Sequence, residues 1–346
     1  MLFDTLEDLG LRKLVVVSDP PSGLRALIAI HDTTLGPAAG GVRTREYPDE
    51  WAALREVAAL ARTMTYKCAL AGLPCGGGKA VVMDHPGLDR THAFEVLGAA
   101  IESLGGLFRT AGDLGTHESE LRAMERRTQY VSCDPQGIDL EGATARGVLL
   151  AMREAALNIG IEDFNGLDVV VQGVGAIGSV LVRDLVENGA RVRISDVDAE
   201  RLHAVAQAYG VETIETALAL ETPCDVFAPC AISGVVDETV GAKIPARIVC
   251  GAANNPLTSD TIADALAARN VLYVPDFVAN AGGVIEGMGD AVLELEDRSA
   301  LIERIADTTR QVLEASRERG ETPLAVARAL AQERIEEAMP KWRRRG

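Results

Sequence analysis

Chemistry is suggested first by the run Gly173-Val174-Gly175-Ala176-Ile177-Gly178, which follows the apolar stretch DVVVQ (168–172) and opens a helical pattern at about 176–188. In that setting the first glycine makes a tight turn, the second lets a pyrophosphate approach the backbone, and the third lets helix and strand pack closely. The helix N-terminus then offers unpaired N–H groups to the phosphates. A second strand ends at Ser195-Asp196, eighteen positions beyond Gly178. A carboxylate there can accept hydrogen bonds from both hydroxyls of an NAD ribose and repels a 2′-phosphate. Strand, glycines, helix and acid together favour NAD over NADP, although Arg201 nearby is a cation that could receive a 2′-phosphate. Without a ligand the same run would be a tight structural turn.

A second group is a pair of lysines, Lys67 and Lys79, in the apolar, glycine-rich stretch MTYKCALAGLPCGGGKAVV. Lysine rarely stands in such surroundings unless its charge has a use, although a snorkelling or surface lysine is the simpler reading of either one alone. Gly76-Gly77-Gly78-Lys79 is not a phosphate loop, because a Walker A motif needs glycine where Leu73 stands and Ser or Thr where Ala80 stands. Asp113, in AGDLGT (111–116), reads by itself as a turn or capping aspartate ahead of a helix at 117–126. The six cysteines (68, 75, 133, 224, 230 and 250) form no C-x-x-C pair and no zinc spacing, so no metal site is expected. They read as reduced thiols without disulfides, in a cytoplasmic protein.

The elements that must position these groups follow from patterning. A chain of 346 residues, 47% hydrophobic and 25% charged, has the length for about two domains and the composition of a globular protein. A strand is predicted over 24–30, a helix from Asp49 through the stripe 51–61, a strand over 80–83, and a helix from Phe94 to Leu104 that stops at Gly105-Gly106. From about 145 onward, apolar runs at 168–172, 190–194, 225–228, 246–250 and 271–274 alternate with helical stretches, the pattern of a parallel sheet covered on both faces. The last fifty residues read as helical. The net charge of −17 disfavours nucleic acid and acidic membranes as partners. No apolar run reaches the ~18 residues of a spanning helix, and the acidic N-terminus MLFDTLEDLG is unlike a secretory signal.

Longer segments carry a resemblance. HDTTLGPAAGG (31–41), MTYKCALAGLPCGGGKAV (64–81), AGDLGT (111–116), VQGVGAIG (171–178), CDVFAPCA (224–231), GAANN (251–255) and PDFVANAGG (275–283) resemble, in order, segments of the glutamate, leucine, phenylalanine and valine dehydrogenase family. The leucine and phenylalanine branches are the most similar, and the chain is shorter than a typical glutamate enzyme. The resemblance implies NAD-dependent, reversible oxidative deamination of an L-amino acid to a 2-oxo acid and ammonia. It implies an α/β fold in which an N-terminal substrate-binding and oligomerisation domain (1–132 and 322–346) and a Rossmann-like NAD-binding domain (133–321) flank a closing cleft. A homo-oligomer is implied as well.

By the same resemblance, Lys67 would bind the substrate carboxylate, and Lys79 would be the general base that activates water. Burial and the charge of Lys67 would both lower the proton affinity of Lys79. Asp113 would accept and return the amine proton, while Gly40, Gly41 and Met64 would border the substrate. Thr144, Val174, Ala176, Ile177, Cys230 and Ala231 would join the glycines and Asp196 around the cofactor, and one or both of Asn254 and Asn255 would help hold the nicotinamide or the substrate carboxylate. The side-chain pocket would be lined by Ala39, Ala111, Val284 and Gly287. Ala39 and Gly287 are smaller than their counterparts in leucine enzymes, which implies a wider pocket and a nonpolar substrate up to the size of phenylalanine. Glu286 beside it is read as outward-facing; turned inward, it would admit a polar side chain. Two other readings stay open, another NAD-dependent oxidoreductase or a catalytically silent NAD-binding subunit. A 2-hydroxy acid enzyme would want a catalytic histidine with an arginine clamp, and none of the five histidines stands in such a motif.

Overall fold

A computed structural model describes residues 2–133, 138–293 and 297–339. The chain forms two compact units, one of Met1–Ile138 with Asp290–Glu294 and Gln332–Gly346, the other of Asp139–Gly289 with Leu295–Ala331.

In the first unit, α1 (Leu2–Asp8) precedes the antiparallel pair β1 (Lys13–Asp19) and β2 (Leu24–Asp32). Next come β3 (Ala38–Ala39), β4 (Val42–Arg45), α2 (Glu50–Ala71), β5 (Gly76–Met83), α3 (Arg90–Glu102), β6 (Phe108–Arg109) and α4 (Glu118–Glu125). The mixed sheet has the order β1-β2-β5-β3-β6, and β4 follows β3 along the same edge of β5. Its two faces are covered separately. Ile28, Ile30, Ala80 and Val82 pack with Phe94, Leu97 and Ile101 of α3 and Met124 of α4, whereas Ala29 and Val81 pack with Val57, Ala58 and Ala61 of α2. Period-two alternation along β2 and β5 thus assigns every residue to one face. Helix α2 starts where Asp49 caps it, accepting the Ala52 N–H, and stops at Gly72 in a left-handed conformation. It continues ten residues past the stripe that predicts it.

The second unit begins with α5 (Leu140–Asn158) and continues with β7 (Asp168–Gln172), α6 (Ala176–Glu187), β8 (Arg191–Ser195), α7 (Ala199–Tyr209), β9 (Glu212–Thr213), β10 (Val226–Pro229), α8 (Glu238–Gly241), β11 (Ile248–Val249), α9 (Thr261–Ala268) and β12 (Leu272–Tyr273). Helices α10 (Asp276–Ala279), α11 (Gly282–Leu293), α12 (Ser299–Arg319) and α13 (Pro323–Ala338) follow. All pairings are parallel, in the order β12-β11-β10-β7-β8-β9. This is the doubly wound order of a dinucleotide-binding fold, in which the order reverses beside the first strand and ligands bind at the carboxyl ends. The predicted strands at 246–250 and 271–274 shorten to two paired residues each. Among the described residues no helix is long and apolar enough to cross a membrane.

Candidate active site

In the first unit the sheet register brings the charged residues together. Lys79 pairs with Ala29 and Arg43 with Val81, so both belong to the face covered by α2. Gly77 lets that helix come close, since a Cβ there would lie 2.2 Å from the Thr65 backbone nitrogen. Lys67 and Met64, three residues apart on α2, share one side of the helix; Lys67 is buried and Met64 half-buried. Gly40 and Gly41 join β3 to β4. A Cβ on Gly40 would meet the Gly78 carbonyl oxygen at 1.8 Å, and one on Gly41 would meet the Gly112 carbonyl oxygen at 2.8 Å. These two glycines hold β5 and the 112–113 loop against one strand junction, with the buried Ala39 and half-buried Ala111 on either side.

Asp113 does not cap the following helix. His117 takes that place, and Asp113 turns to Lys79 and Arg43 instead. Lys79 Nζ lies 2.7 Å from Asp113 Oδ2, and Arg43 Nε donates to the same oxygen at 3.0 Å. Arg43 Nη1 also donates to Glu56 Oε1 at 2.7 Å. Burial pushes the Lys79 ammonium below its ordinary pKa and the Asp113 anion opposes this, while Arg43 supplies the neighbouring positive charge that adds to the lowering. Burial alone would raise the Asp113 carboxyl, but the charges of Lys79 and Arg43 outweigh it and hold Asp113 far below the usual carboxylate range. Burial disfavours the charge of Arg43 too, yet Asp113 and Glu56 together raise its pKa above the usual value. Arg43 and Glu56 escape a sequence reading, because V-R-T-R looks like an exposed polar strand until its register is known.

In the second unit the glycine run has the shape its spacing predicts. Gly173 has φ +92°, and a Cβ on Gly178 would lie 2.0 Å from the Gly173 carbonyl oxygen. A Cβ on Gly175 would meet nothing within 4 Å, so the turn is open where a pyrophosphate would need room. Gly175 is the N-cap of α6, with Ala176, Ile177 and Gly178 in its first turn. Asp196 Oδ2 accepts the Val174 N–H at 2.8 Å and Oδ1 the Asp198 N–H at 2.9 Å. Burial raises the Asp196 carboxyl, but these bonds and Arg201, 3.5 Å away, lower it overall and keep it an anion. The residues present therefore fit a dinucleotide, with Gly173 to Gly178 for the pyrophosphate and Asp196 for a ribose.

Cys230 and Ala231 follow β10, and the Cys230 N–H bonds the Gln172 carbonyl at 2.7 Å, fixing them next to the glycine turn. Burial pushes the Cys230 thiol up to about 12. Thr144 Oγ1 donates to the Leu140 carbonyl within α5. The two asparagines are held differently. Asn255 is left-handed (φ +47°) with its N–H on Asp276 Oδ2, whereas the Asn254 side-chain oxygen accepts from Asn280 Nδ2 at 2.9 Å. Tyr273 O–H donates to the other Asp276 oxygen at 3.2 Å. Asn280, Asp276 and Tyr273 were invisible as supports, though two of them lie in PDFVANAGG.

Val284 and Gly287 are half-buried on α11, and a Cβ on Gly287 would sit 3.2 Å from Leu140 Cδ2. Glu286 is not an outward surface residue: it is paired with the buried Arg298 at 2.8 Å. Its charge is thereby balanced inside the second unit. The six cysteines are free, Cys68, Cys75 and Cys250 being buried. Among the described residues no group of three or more His, Cys, Asp or Glu could hold a metal ion.

Comparison with known proteins agrees along the whole chain. Residues 12–130 match the Glu/Leu/Phe/Val dehydrogenase dimerisation domain, and residues 138–200 and 193–343 match the Glutamate/Leucine/Phenylalanine/Valine dehydrogenase domain. The leucine dehydrogenase of Bacillus cereus is 36% identical over 342 residues, covering 96% of this chain and 93% of that protein. The valine dehydrogenase of Streptomyces virginiae is 37% identical, covering 95% of each. The crystal structure of L-tryptophan dehydrogenase from Nostoc punctiforme superposes with a TM-score of 0.84 at 33% identity, covering 97% of this chain and 99% of that one. With its mixed-sheet first unit, its doubly wound second unit and similarity of this extent, the chain belongs to the Glu/Leu/Phe/Val dehydrogenase family, oxidoreductases that act on the CH–NH2 group of amino acids with NAD(P).

Proposed function

We propose that the protein catalyses the NAD-dependent, reversible oxidative deamination of a nonpolar L-amino acid to its 2-oxo acid and ammonia. The observation that carries this reading is the ion pair of buried Lys79 with half-buried Asp113, 2.7 Å apart, with Lys79 on the sheet face covered by the helix that bears Lys67. Lys67 supplies a positive charge for the substrate carboxylate. Asp113, held as an anion, receives the substrate ammonium. Its affinity for a proton rises whenever Lys79 is neutral, so the two groups titrate as a coupled pair and can pass one proton between them. Lys79, with its proton affinity lowered by burial, takes a proton from the water that attacks the imine carbon. Gly40, Gly41 and Met64 border the substrate. The substrate side of the reaction thus falls to the first unit, and the cofactor side to Gly173–Gly178, Asp196, Thr144, Cys230, Ala231 and the Asn254–Asn255 pair of the second. When bound, NAD supplies the hydride acceptor. The carboxylate at Asp196 favours it over NADP.

A nonpolar substrate is supported by the relatives, which act on leucine, valine and tryptophan by name, and by Ala39, Ala111, Val284 and Gly287. The pairing of Glu286 with Arg298 leaves no isolated charge at that position to favour a basic side chain. We place the enzyme in the cytoplasm as a homo-oligomer assembled through its first unit. The test is NADH oxidation by the purified protein with ammonium and the 2-oxo acids corresponding to leucine, valine, phenylalanine, tryptophan and glutamate. Ammonium-dependent turnover of the nonpolar members supports the reading. Turnover of 2-oxoglutarate alone would refute the substrate class, and silence with every acid would refute the reaction.

A further inference from the structure

Asp113 carries two cations on one oxygen. Lys79 Nζ stands 2.7 Å and Arg43 Nε 3.0 Å from Oδ2, while the far end of Arg43 is fixed by Glu56 Oε1 at 2.7 Å. A buried guanidinium between two carboxylates is costly to desolvate, and apolar residues of similar size would fill the same space at no such cost. A lone Lys79–Asp113 salt bridge would hold the lysine charged, because an anion at this distance favours the ammonium. That is the opposite of what a lysine that must give up a proton requires. Arg43 changes the balance by taking a share of the same oxygen and by adding a positive charge. Resting on the reading of Lys79 as general base, we propose that Arg43, braced by Glu56, is a positioning residue that divides Asp113 between two cations and so leaves Lys79 free to release and retake its proton.

The charged and titratable groups around Lys79 come from each neighbouring element. They are Arg43 of β4, Glu56 of α2 and Asp113 after β6, with Arg45 and Tyr47 set around Glu56 in turn. On the other flank β2 places Ala29 opposite Lys79 and adds no charge there. Of these groups Arg43 and Glu56 act in opposite directions, Arg43 disfavouring the Lys79 ammonium and Glu56 favouring it. Mere structural damage would not reproduce such opposed effects.

The experiment compares Arg43→Gln, Arg43→Lys and Glu56→Gln in the full-length protein. Two pH profiles are read: kcat/KM for the amino acid, and the rate at which acetic anhydride labels Lys79, followed by peptide mass spectrometry. For Arg43→Gln the midpoint of both profiles should rise by about one pH unit, a tenfold loss of kcat/KM on the acid side, with the KM for NAD unchanged. Arg43→Lys should recover most of that loss, and Glu56→Gln should move both midpoints down. Unchanged midpoints in folded Arg43→Gln, or shifts of both charge variants in the same direction, would overturn the proposal. If Arg43→Gln does not fold, the double variant Arg43→Gln/Glu56→Gln, which leaves neither partner of that ion pair charged and alone, is compared with Glu56→Gln: higher midpoints in the double variant support the proposal, and equal or lower ones overturn it. Labelling midpoints that move as expected in a protein without turnover on any amino acid would support the role of Arg43 and refute the dehydrogenase reading.

Discussion

At the scale of the residue, Lys79 and Lys67 should separate in kinetics. Lys79→Ala is expected to lower kcat by about 10²–10⁴-fold, the range of a lost general base, with NAD affinity unchanged. Lys67→Ala should chiefly raise the KM of the amino acid. Steady-state rates with varied amino acid and varied NAD check both. Asp113 also links the site to acid stability. Its folded carboxyl binds a proton more weakly than the unfolded one, so the stability it contributes is present above the ordinary carboxylate range and is lost as pH falls through and below it. Urea midpoints measured from pH 7 downward should therefore fall more steeply for the wild type than for Asp113→Asn. The lysines were legible because each is a charge out of place in an apolar, glycine-rich stretch. Arg43 was not, because only its register opposite Val81 shows that it points to the covered face. Glu286 misled for the same reason, since its partner Arg298 is twelve residues away in the sequence, outside the helix that carries Glu286.

At the scale of the element, the strands that could be read from sequence are those that are continuous and apolar, such as β7 and β10. The two-residue strands β3 and β6 have no such signal. They exist as pairings, Ala38 with Gly76 and Phe108, and Ala39 with Gly77 and Arg109, so they are properties of the assembled sheet and not of their own residues. The junction of α2 and β5 is where an element-level change should matter most. Gly77→Ala would place a Cβ 2.2 Å from both the Thr65 nitrogen and its hydroxyl, and from backbone the helix cannot simply yield. We expect a loss of about 1–3 kcal/mol or more, with Lys67 and Lys79 forced apart, so that thermal stability and kcat/KM fall together. Gly175→Ala is the contrasting case. Open space lies around its Cβ, so the folded protein should tolerate it, while the KM for NAD rises because the methyl group occupies the path of the pyrophosphate.

At the scale of the whole molecule, binding to the second unit should be visible as stability. NADH at about one hundred times its Kd contributes about 2.7 kcal/mol to the state that binds it, and differential scanning fluorimetry should register an upward shift of roughly 5–10 °C for a unit of this size. NADPH at the same concentration should give a smaller shift. The division into two units was legible in outline, because the alternating strand–helix pattern begins near residue 145. What no local pattern could show is that the first unit is discontinuous in sequence. Its later part includes the end of α13, from Gln332, where Arg334 donates to the carbonyls of Ala69 and Leu70 at the end of α2. That arrangement has a consequence for the order of events on the ribosome. At about 5–20 residues per second, the helix carrying Lys67 would wait on the order of 13–53 seconds while the 264 residues from Leu70 to Arg334 are synthesised, before Arg334 could reach its terminal carbonyls. During that interval the nascent first unit is incomplete, and the downstream unit can finish folding before the upstream one.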